Sequence, residues 1–384
     1  MRIVYVLGTS TGGVGTHVRA LARDVAADGH ELGVIGPAQT DEHFGFSALP
    51  GVRFAALDMG TGIGVRDAAL ITRLRTLIAG FDADIVHAHG FRAGFVALLG
   101  ARTIGHRPRL VISLHNRASG RGLRGRIETG IETLLAKGAD LTLGASADLV
   151  VRARELGARD ARFLPAAAPA VRAVPAEAAR ATRAGLATEF GFGDDAVIVL
   201  SVGRVAPQKN YPMLVRALGH LGEAESEGTP ELVFLIAGAA DRTVLDQVAS
   251  QYEDLAATSA VPALHFLGPR DDVAELNAAA DIYVLTSVWE ARALVLQEAL
   301  ISGRAIIATG TGGTSELLGE AGILIGDDDD TGLAEAIGEL ASDPAHRAEL
   351  AARARARGAR LPDEGEVAKE LVSIYTELMP SQVG

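Results

Sequence analysis

Short apolar runs alternate with longer amphipathic runs along almost the whole chain, which is typical of parallel β-strands covered by α-helices. The first helices are expected at Val14–Asp28 and Asp67–Ala79. The predicted strands of the first half are Arg2–Leu7, Glu31–Ile35, Arg53–Leu57, Asp84–His87, Leu110–Leu114 and Leu141–Gly144. Those of the second half are Ala196–Val202, Leu232–Ala237, Leu264–Leu267, Ile282–Leu285, Ala305–Ala308 and Gly322–Ile325.

The alternation stops once, in residues 165–185, which contain three prolines, many alanines and no strand-like run. Such a stretch indicates a linker. We therefore predict an α/β fold of two doubly wound, Rossmann-like domains that face each other across a cleft. The N-terminal domain takes residues 1–170, the linker 171–190 and the C-terminal domain 191–362. A final helix in 363–384 can cross back to the N-terminal domain.

Composition excludes several classes of protein. Hydrophobic residues make up 48% of the 384, so global disorder is excluded. The net charge of −12 argues against a nucleic-acid binder. Cysteine is absent, which removes disulfides, thiolate metal sites and a cysteine nucleophile. No run approaches the ~20 apolar residues of a membrane helix, and the N-terminus resembles a strand more than a signal peptide. We expect a cytoplasmic protein, with peripheral contact at the inner membrane face as an option and no indication of oligomeric state.

A glycine-containing loop follows the first predicted strand. Gly12 and Gly13 would let a ligand approach the backbone, and the N-terminus of the next helix favours negative charge. The loop lacks the Lys-Ser/Thr of a P-loop. A tight turn between strand and helix explains these glycines about as well as a ligand site does.

Histidines mark two other strand ends of the first half: His87 and His89 follow one strand, and His115 follows the next. The carboxyl ends of strands line the ligand crevice in open α/β sheets, so binding and structural roles are equally plausible here. A metal site is disfavoured because no suitable third ligand lies nearby in the sequence.

Two cations, Arg204 and Lys209, follow the first strand of the second half. Arg supplies a fork of donors and Lys a compact charge, which together suit a diphosphate. The alternative is a solvated basic loop.

The strongest feature is a pair of carboxylates, Glu290 and Glu298, in an apolar helix predicted from Thr286 to about Ile301. Eight residues of helix span up to ~12 Å, comparable with the distance from sugar to ribose across a diphosphate. One Glu could bind the sugar and the other the ribose. Standing alone, they would be interpreted as a capping Glu and a surface Glu.

A basic segment extends from Ile85 to Ile127, where acidic residues are absent and eight arginines occur. It could bind a phosphorylated acceptor or anionic lipid headgroups, or be an ordinary solvated face. The arginines are at positions 92, 102, 107, 109, 117, 121, 124 and 126.

Taken in order, these motifs resemble those of the retaining glycosyltransferases of family four (glycosyl transferases group one), which have the GT-B fold. The resemblance covers nearly the whole chain. Beyond the motifs above it includes Ser302-Gly303-Arg304, Gly312-Gly313-Thr-Ser-Glu316 and Gly322-Ile-Leu-Ile.

The resemblance implies catalytic roles for Glu290, Lys209, Arg204 and His115. It implies acceptor contacts from the N-terminal domain, for which His87, His89, Arg117 and Arg121 are candidates. The resemblance also implies that no metal is required, and the nucleotide sugar counts as a co-substrate, so no cofactor is expected. The implied donor-binding residues are Gly12, Gly13, Arg204, Lys209, Gly268, Arg270, Glu290, Ala291, Arg292, Ala293, Leu294, Val295 and Glu298.

Two departures from the family pattern stand out. Ala291-Arg292-Ala293 replaces the usual Gly-Phe-Gly, so Arg292 is expected to alter access to the sugar or acceptor. The linker reads Pro165-Ala-Ala-Ala where the family has Asn-Gly after its proline.

The expected activity is metal-independent transfer of a hexosyl group, with retention, from a UDP- or GDP-sugar to a small molecule, glycan or lipid. The alternatives are a sugar-nucleotide epimerase of the same fold and an inactive nucleotide-sugar-binding protein.

Overall fold

The computed structural model of the protein describes residues 1–10, 12–60, 67–117, 120, 122–224 and 228–379, apart from the side chains of 123 and 124. The chain forms two compact units. The first consists of Met1–Pro169 and the segment from Pro362 onward, and the second of Ala170–Leu361. Each contains a parallel β-sheet, so the predicted α/β architecture of two doubly wound domains is confirmed.

The first sheet has seven strands in the described residues, in the order β3-β2-β1-β4-β5-β6-β7. The strands are β1 (Arg2–Leu7), β2 (Glu31–Gly36), β3 (Val52–Ala56), β4 (Ile85–His89), β5 (Arg109–Leu114), β6 (Leu141–Gly144) and β7 (Ala161–Phe163). The helices between them are α1 (Gly13–Ala27), α2 (Ala38–Phe44), α3 (Asp67–Phe81), α4 (Phe91–Ala101), α5 (Gly122–Gly138) and α6 (Ala147–Glu155). The sequence missed β7, which is too short to show a hydrophobic pattern.

The second sheet has six strands in the part of the chain that the structure describes, in the order β10-β9-β8-β11-β12-β13. They are β8 (Val197–Val202), β9 (Leu232–Ala237), β10 (Ala263–Gly268), β11 (Ile282–Leu285), β12 (Ala305–Thr309) and β13 (Ile323–Ile325). The helices are α7 (Ala176–Phe190), α8 (Tyr211–Glu223), α9 (Arg242–Ala256), α10 (Val273–Ala279), α11 (Leu294–Ile301), α12 (Thr314–Leu318), α13 (Asp330–Ser342) and α14 (Pro344–Gly358).

Both faces of the second sheet are buried, because successive side chains of a strand point to opposite faces. Val197 and Val199 of β8 belong to one core cluster, together with Leu218 of α8. Ile198 and Leu200 belong to a second cluster on the other face. The strands therefore appear in the sequence as continuous apolar runs, which is why their positions could be predicted well.

The segment predicted as a linker is only partly irregular. Residues 176–190 form α7, whose Leu186 is 4% exposed within a core cluster of the second unit. Arg183 of this helix bonds Asp281 at 2.9 Å. Because alanine is the strongest helix former and Pro175 occupies the N-cap, a helix is the natural structure once the apolar face is covered.

The last helix, α15 (Glu364–Leu378), belongs to the first unit. A capping box between Asp363 and Glu366 starts it. Its Leu371 and Tyr375 are fully buried in the same core cluster as Tyr5 of β1. Burial of such side chains contributes about 1.5–3 kcal/mol each, so α15 is an integral part of the first unit.

Candidate functional site

An ion pair between Lys209 and Glu290 lies at the carboxyl edge of the second sheet. Lys209 Nζ donates to Glu290 Oε1 at 2.8 Å, and the Ser287 hydroxyl donates to the same oxygen at 2.9 Å. The Lys209 and Glu290 side chains are only 14% and 13% exposed. The structure thus brings together two of the four predicted catalytic residues, and Ser287 is a partner that the sequence analysis did not identify.

Backbone hydrogen bonds fix both members of the pair. Lys209 ends a short 3-10 helix after β8, and its carbonyl accepts from the Thr286 hydroxyl at 2.6 Å. The carbonyl of Glu290 accepts from Gly313 N at 2.8 Å. Gln208 O accepts from Val288 N at 2.9 Å. Three loops are therefore joined around the two charged groups.

Glycines make room for this arrangement at two positions. A Cβ on Gly203 would lie 2.7 Å from Lys209 Cε. Gly312 has a φ of +55°, and a Cβ there would lie 2.2 Å from the carbonyl oxygen of Glu290. At Gly312 the contact is with backbone and leaves no room for a side chain, whereas at Gly203 the Lys209 side chain would have to move. Both glycines therefore shape the site.

The predicted helix around the carboxylate pair begins later than expected. α11 starts at Leu294, so Glu290 lies in the preceding loop and only Glu298 is helical. The prediction of a helix from Thr286 was wrong because the backbone of 287–290 bonds to neighbouring loops instead of to itself. The ~12 Å helical spacing therefore does not apply.

The N-terminus of α11 follows the loop that carries Glu290. Its N-cap, Ala293, provides no side-chain cap, so the first amides, including those of Leu294 and Val295, retain their donor capacity. Ala291 and Ala293 are buried beneath this turn. Deeper along the helix, burial raises the pKa of Glu298 to about 7. Glu298 is thus not the surface residue of the alternative interpretation.

Arg292 is buried rather than exposed to a sugar. Its side chain is 6% exposed and lies 3.7 Å from Glu316 of α12. Burial lowers the pKa of Arg292, and the Glu316 charge partly offsets this effect. We expected Arg292 to alter access to the sugar or acceptor, but the structure buries its side chain near Glu316.

The other predicted donor contacts occupy two strand ends. Arg204 is exposed just after β8, and among the described residues it has no hydrogen-bond partner. Gly268 ends β10 with a φ of +68°. Arg270 follows it and pairs with Asp272 at 2.5 Å, which lowers the pKa of that carboxyl.

A cavity of about 310 Å³ opens beside the ion pair, on the side of Asn210 and Ser287. Asp327 and Asp328 also line it. These carboxylates disfavour an anion in the cavity, and Asp328 is paired with Arg216.

The predicted residues of the first unit are divided between surface and core. Gly12 is the exposed N-cap of α1, which begins at Gly13. His87 is fully buried: its Nδ1 lies 2.5 Å from the Tyr375 hydroxyl and its Nε2 2.7 Å from the Ser113 hydroxyl. His89 is 4% exposed. These two histidines belong to the core, and the prediction that they contact an acceptor is not supported.

The basic segment carries less uncompensated positive charge than its sequence suggests. Arg92 pairs with Asp67 at 2.5 Å, and Arg107 and Arg109 each lie 3.9 Å from Asp140. These carboxylates come from outside the segment, which is why a count along the sequence missed them. Arg117 is exposed, whereas Arg121 lies outside the described residues.

Within the described ranges, no group of three or more histidine or acidic side chains has an arrangement that could hold a metal ion. None of the described helices is long and apolar enough to cross a bilayer.

Two family models match the chain, one for each unit. Residues 196–343 match the family described as Glycosyl transferases group 1. Residues 12–167 match the Glycosyl transferase 4-like domain. The chain belongs to the group 1 glycosyltransferases. In this family member, the two matches contain the Lys209–Glu290 pair and the histidines of the first unit, respectively.

Two curated relatives are both named D-inositol 3-phosphate glycosyltransferase. The one from Stackebrandtia nassauensis is 32% identical over 175 residues, which is 44% of this chain and 40% of that protein. The chain thus matches less than half of this relative's length. The one from Salinispora arenicola is 27% identical over 378 residues, covering 90% of this chain and 82% of that protein.

The solved structure of HepE from Anabaena in complex with UDP-glucose superposes with a TM-score of 0.79. It is 18% identical in sequence, and the match covers 98% of this chain and 99% of HepE. At this identity the likeness establishes the fold, and it agrees with the GT-B architecture expected from the sequence.

Proposed function

We propose that this protein transfers a hexosyl group from a UDP- or GDP-sugar to an acceptor with retention of anomeric configuration. The observation that carries the proposal is the Lys209–Glu290 pair beside the uncapped N-terminus of α11, at the carboxyl edge of the second sheet. Ligands of open α/β sheets bind at this edge. A cation, a carboxylate and free backbone amides supply what a diphosphate joined to a sugar requires.

The donor is proposed to bind along this edge in a fixed order. Arg204 and Lys209 neutralise the diphosphate, and the first amides of α11 donate to its oxygens. Glu298 accepts from the ribose hydroxyls, and the base rests near Gly268 and Arg270. HepE is in complex with UDP-glucose in its solved structure, which supports a UDP-sugar as the donor of this chain.

The chemical step is proposed to proceed by attack of the acceptor hydroxyl on the same face that the nucleotide leaves. Lys209 and Arg204 stabilise the negative charge that builds on the departing diphosphate, where electrostatic stabilisation contributes most. Glu290 holds the sugar hydroxyls, with its other bonds to Lys209 and Ser287 keeping it in place. The diphosphate oxygen accepts the proton of the incoming hydroxyl as its bond to the sugar carbon breaks, so no protein nucleophile takes part. The step is proposed to proceed without a metal.

The acceptor is proposed to be a phosphorylated polyol or sugar bound by the first unit. Both relatives described above carry inositol 3-phosphate in their names. The exposed Arg117 is a candidate contact for such a phosphate.

The test is a donor and acceptor matrix with the purified full chain. UDP-glucose and GDP-mannose are each incubated with inositol, inositol phosphates and sugar phosphates, with and without EDTA, and the anomeric configuration of the product is determined by NMR. We expect a retained product that requires a phosphorylated acceptor and persists in EDTA. Conversion of a UDP-sugar without acceptor would indicate the epimerase, and nucleotide binding without turnover across the matrix would indicate an inactive binding protein.

A further inference from the structure

Histidines form a continuous cluster at the ends of β4 and β5 in the first unit. The ring of His17, on α1, lies 5.8 Å from that of His115, which follows β5. The His115 ring lies nearly parallel to that of His89, with the ring centres 5.7 Å apart, and the His89 and His87 ring centres are 4.1 Å apart. The cluster therefore runs from the core beside α15 to the partly exposed His115.

All of these rings are neutral at physiological pH, because burial disfavours the imidazolium ion. Burial lowers the pKa of His17 to about 3 and that of His115 to about 4. The pKa values of His87 and His89 are also lowered well below the ordinary value by burial. Each ring then carries one proton, and its neighbours decide which nitrogen holds it.

The contact between His89 and His115 fixes both tautomers. Nδ1 of His89 lies 3.4 Å from Nε2 of His115, so one of these nitrogens donates to the other. Nε2 of His89 is buried and has no hydrogen-bond partner among the described residues. A buried N–H without an acceptor is rarer and costlier than a buried nitrogen lone pair without a donor. His89 therefore carries its proton on Nδ1 and donates it to His115 Nε2.

We propose that His89 is a positioning residue that holds His115 in the Nδ1–H tautomer, so that His115 offers its ligand a hydrogen-bond donor. Nε2 of His115 is occupied as an acceptor, and no described residue bonds its Nδ1. The resemblance implies a catalytic role for His115, so the identity of its ligand rests on the proposed function. The tautomer itself does not depend on that function.

His87 keeps His89 in place. Residues two apart on a strand share a face, and both nitrogens of His87 are anchored, to Tyr375 of α15 and to Ser113 of β5. The ring of Tyr5 packs edge-on against both histidines, at 5.5 Å and 5.3 Å. This packing limits the freedom of the His89 ring to turn away from His115.

The test is nitrogen NMR of the full chain labelled with ¹⁵N-histidine, with the His115 signals assigned by comparison with His115→Gln. We expect a protonated Nδ1 and a bare Nε2 on His115. His89→Phe keeps an aromatic ring but removes the donor, so His115 should lose this preference. His89→Asn keeps an amide donor near the position of Nδ1 and should restore it. His17→Phe, which changes a ring contact of His115 but no hydrogen bond, should leave the tautomer unchanged.

A protonated Nε2 on His115 in the unmodified protein would overturn the proposal. Because this spectrum is recorded without any substitution, it tests the proposal even if a variant fails to fold. An unchanged His115 tautomer in folded His89→Phe would overturn it too.

Kinetics supply the second readout. His89→Phe should lower kcat about tenfold, because one hydrogen bond is lost, and the Kd of UDP should not change. His89→Asn should recover most of the lost kcat. The expected spectra without any transferase turnover would reject the proposed function and leave the assignment of His89 intact.

Discussion

Lys209 Nζ and Glu290 Oε1 lie 2.8 Å apart, so the cation proposed for the diphosphate and the carboxylate proposed for the sugar neutralise each other in the free protein. Isolated charges are costly to bury, and pairing offsets that cost. An arriving diphosphate brings its own negative charge to Lys209. The pair therefore keeps both groups ready for a donor without leaving either charge uncompensated.

Lys209→Ala should lower kcat by roughly 10²–10³-fold, the range seen when a single electrostatic donor to a developing charge is removed. The Kd of UDP should change less, because Arg204 and the amides of α11 remain. Steady-state kinetics and calorimetric titration measure the two effects separately. Lys369→Ala, at an exposed position of α15, is the control for loss of a lysine. A normal kcat in Lys209→Ala would remove this residue from the mechanism.

Glu298→Gln should stabilise the free protein at high pH. Burial raises the pKa of Glu298 from 4.5 to about 7, so the folded state binds this proton more tightly than the unfolded state. The stabilising effect of protonation is complete below the unfolded pKa and is lost as the pH rises through about 7.

At pH 8 the penalty in the unmodified protein reaches about 3 kcal/mol at most, since each pKa unit is worth ~1.4 kcal/mol. Urea unfolding at pH 5 and pH 8 measures it. The variant should gain stability over the unmodified protein only at the higher pH, and Glu253→Gln, on an exposed part of α9, controls for the substitution itself. A difference that is the same at both pH values would contradict the buried carboxyl.

Arg292→Ala should destabilise the second unit by about 1–3 kcal/mol, because it removes a buried hydrogen-bonding group and the cation beside Glu316. Denaturant midpoints measure the loss. Arg292→Met, which retains much of the apolar stem, should lose less. If Arg292 instead acted directly on the sugar, both variants would keep their stability and differ only in KM.

Gly312→Ala should lower both stability and kcat. The new Cβ meets the Glu290 carbonyl, and the φ of +55° is unfavourable for alanine. Gly319→Ala is a matched control, because Gly319 has the same φ of +55° but nothing within 4 Å of its Cβ position. The control should lose stability through backbone strain alone and keep its kcat. Equal kcat values in the two variants would show that the position of Glu290 is insensitive to this loop.

The strands and the ordered motifs could be predicted from the sequence because buried parallel strands and strand-end loops have local signatures. The conformation around Glu290 could not, since it depends on bonds to Gln208 and Gly313, which are distant along the chain. The burial of His87 was hidden for a similar reason. A strand end adjoins both crevice and core, and the partner that decides between them, Tyr375, is 288 positions away.

The return of α15 to the first unit has a consequence for synthesis on the ribosome. The apolar faces of β1 and α1 that Leu371 and Tyr375 cover are made early, but the helix that covers them is made only after the whole second unit. At ~5–20 residues per second, that delay is roughly 10–40 s. During it, the nascent first unit exposes part of its core to the cell, and chaperone capture of ribosome-bound chains should cease once residues 364–378 emerge.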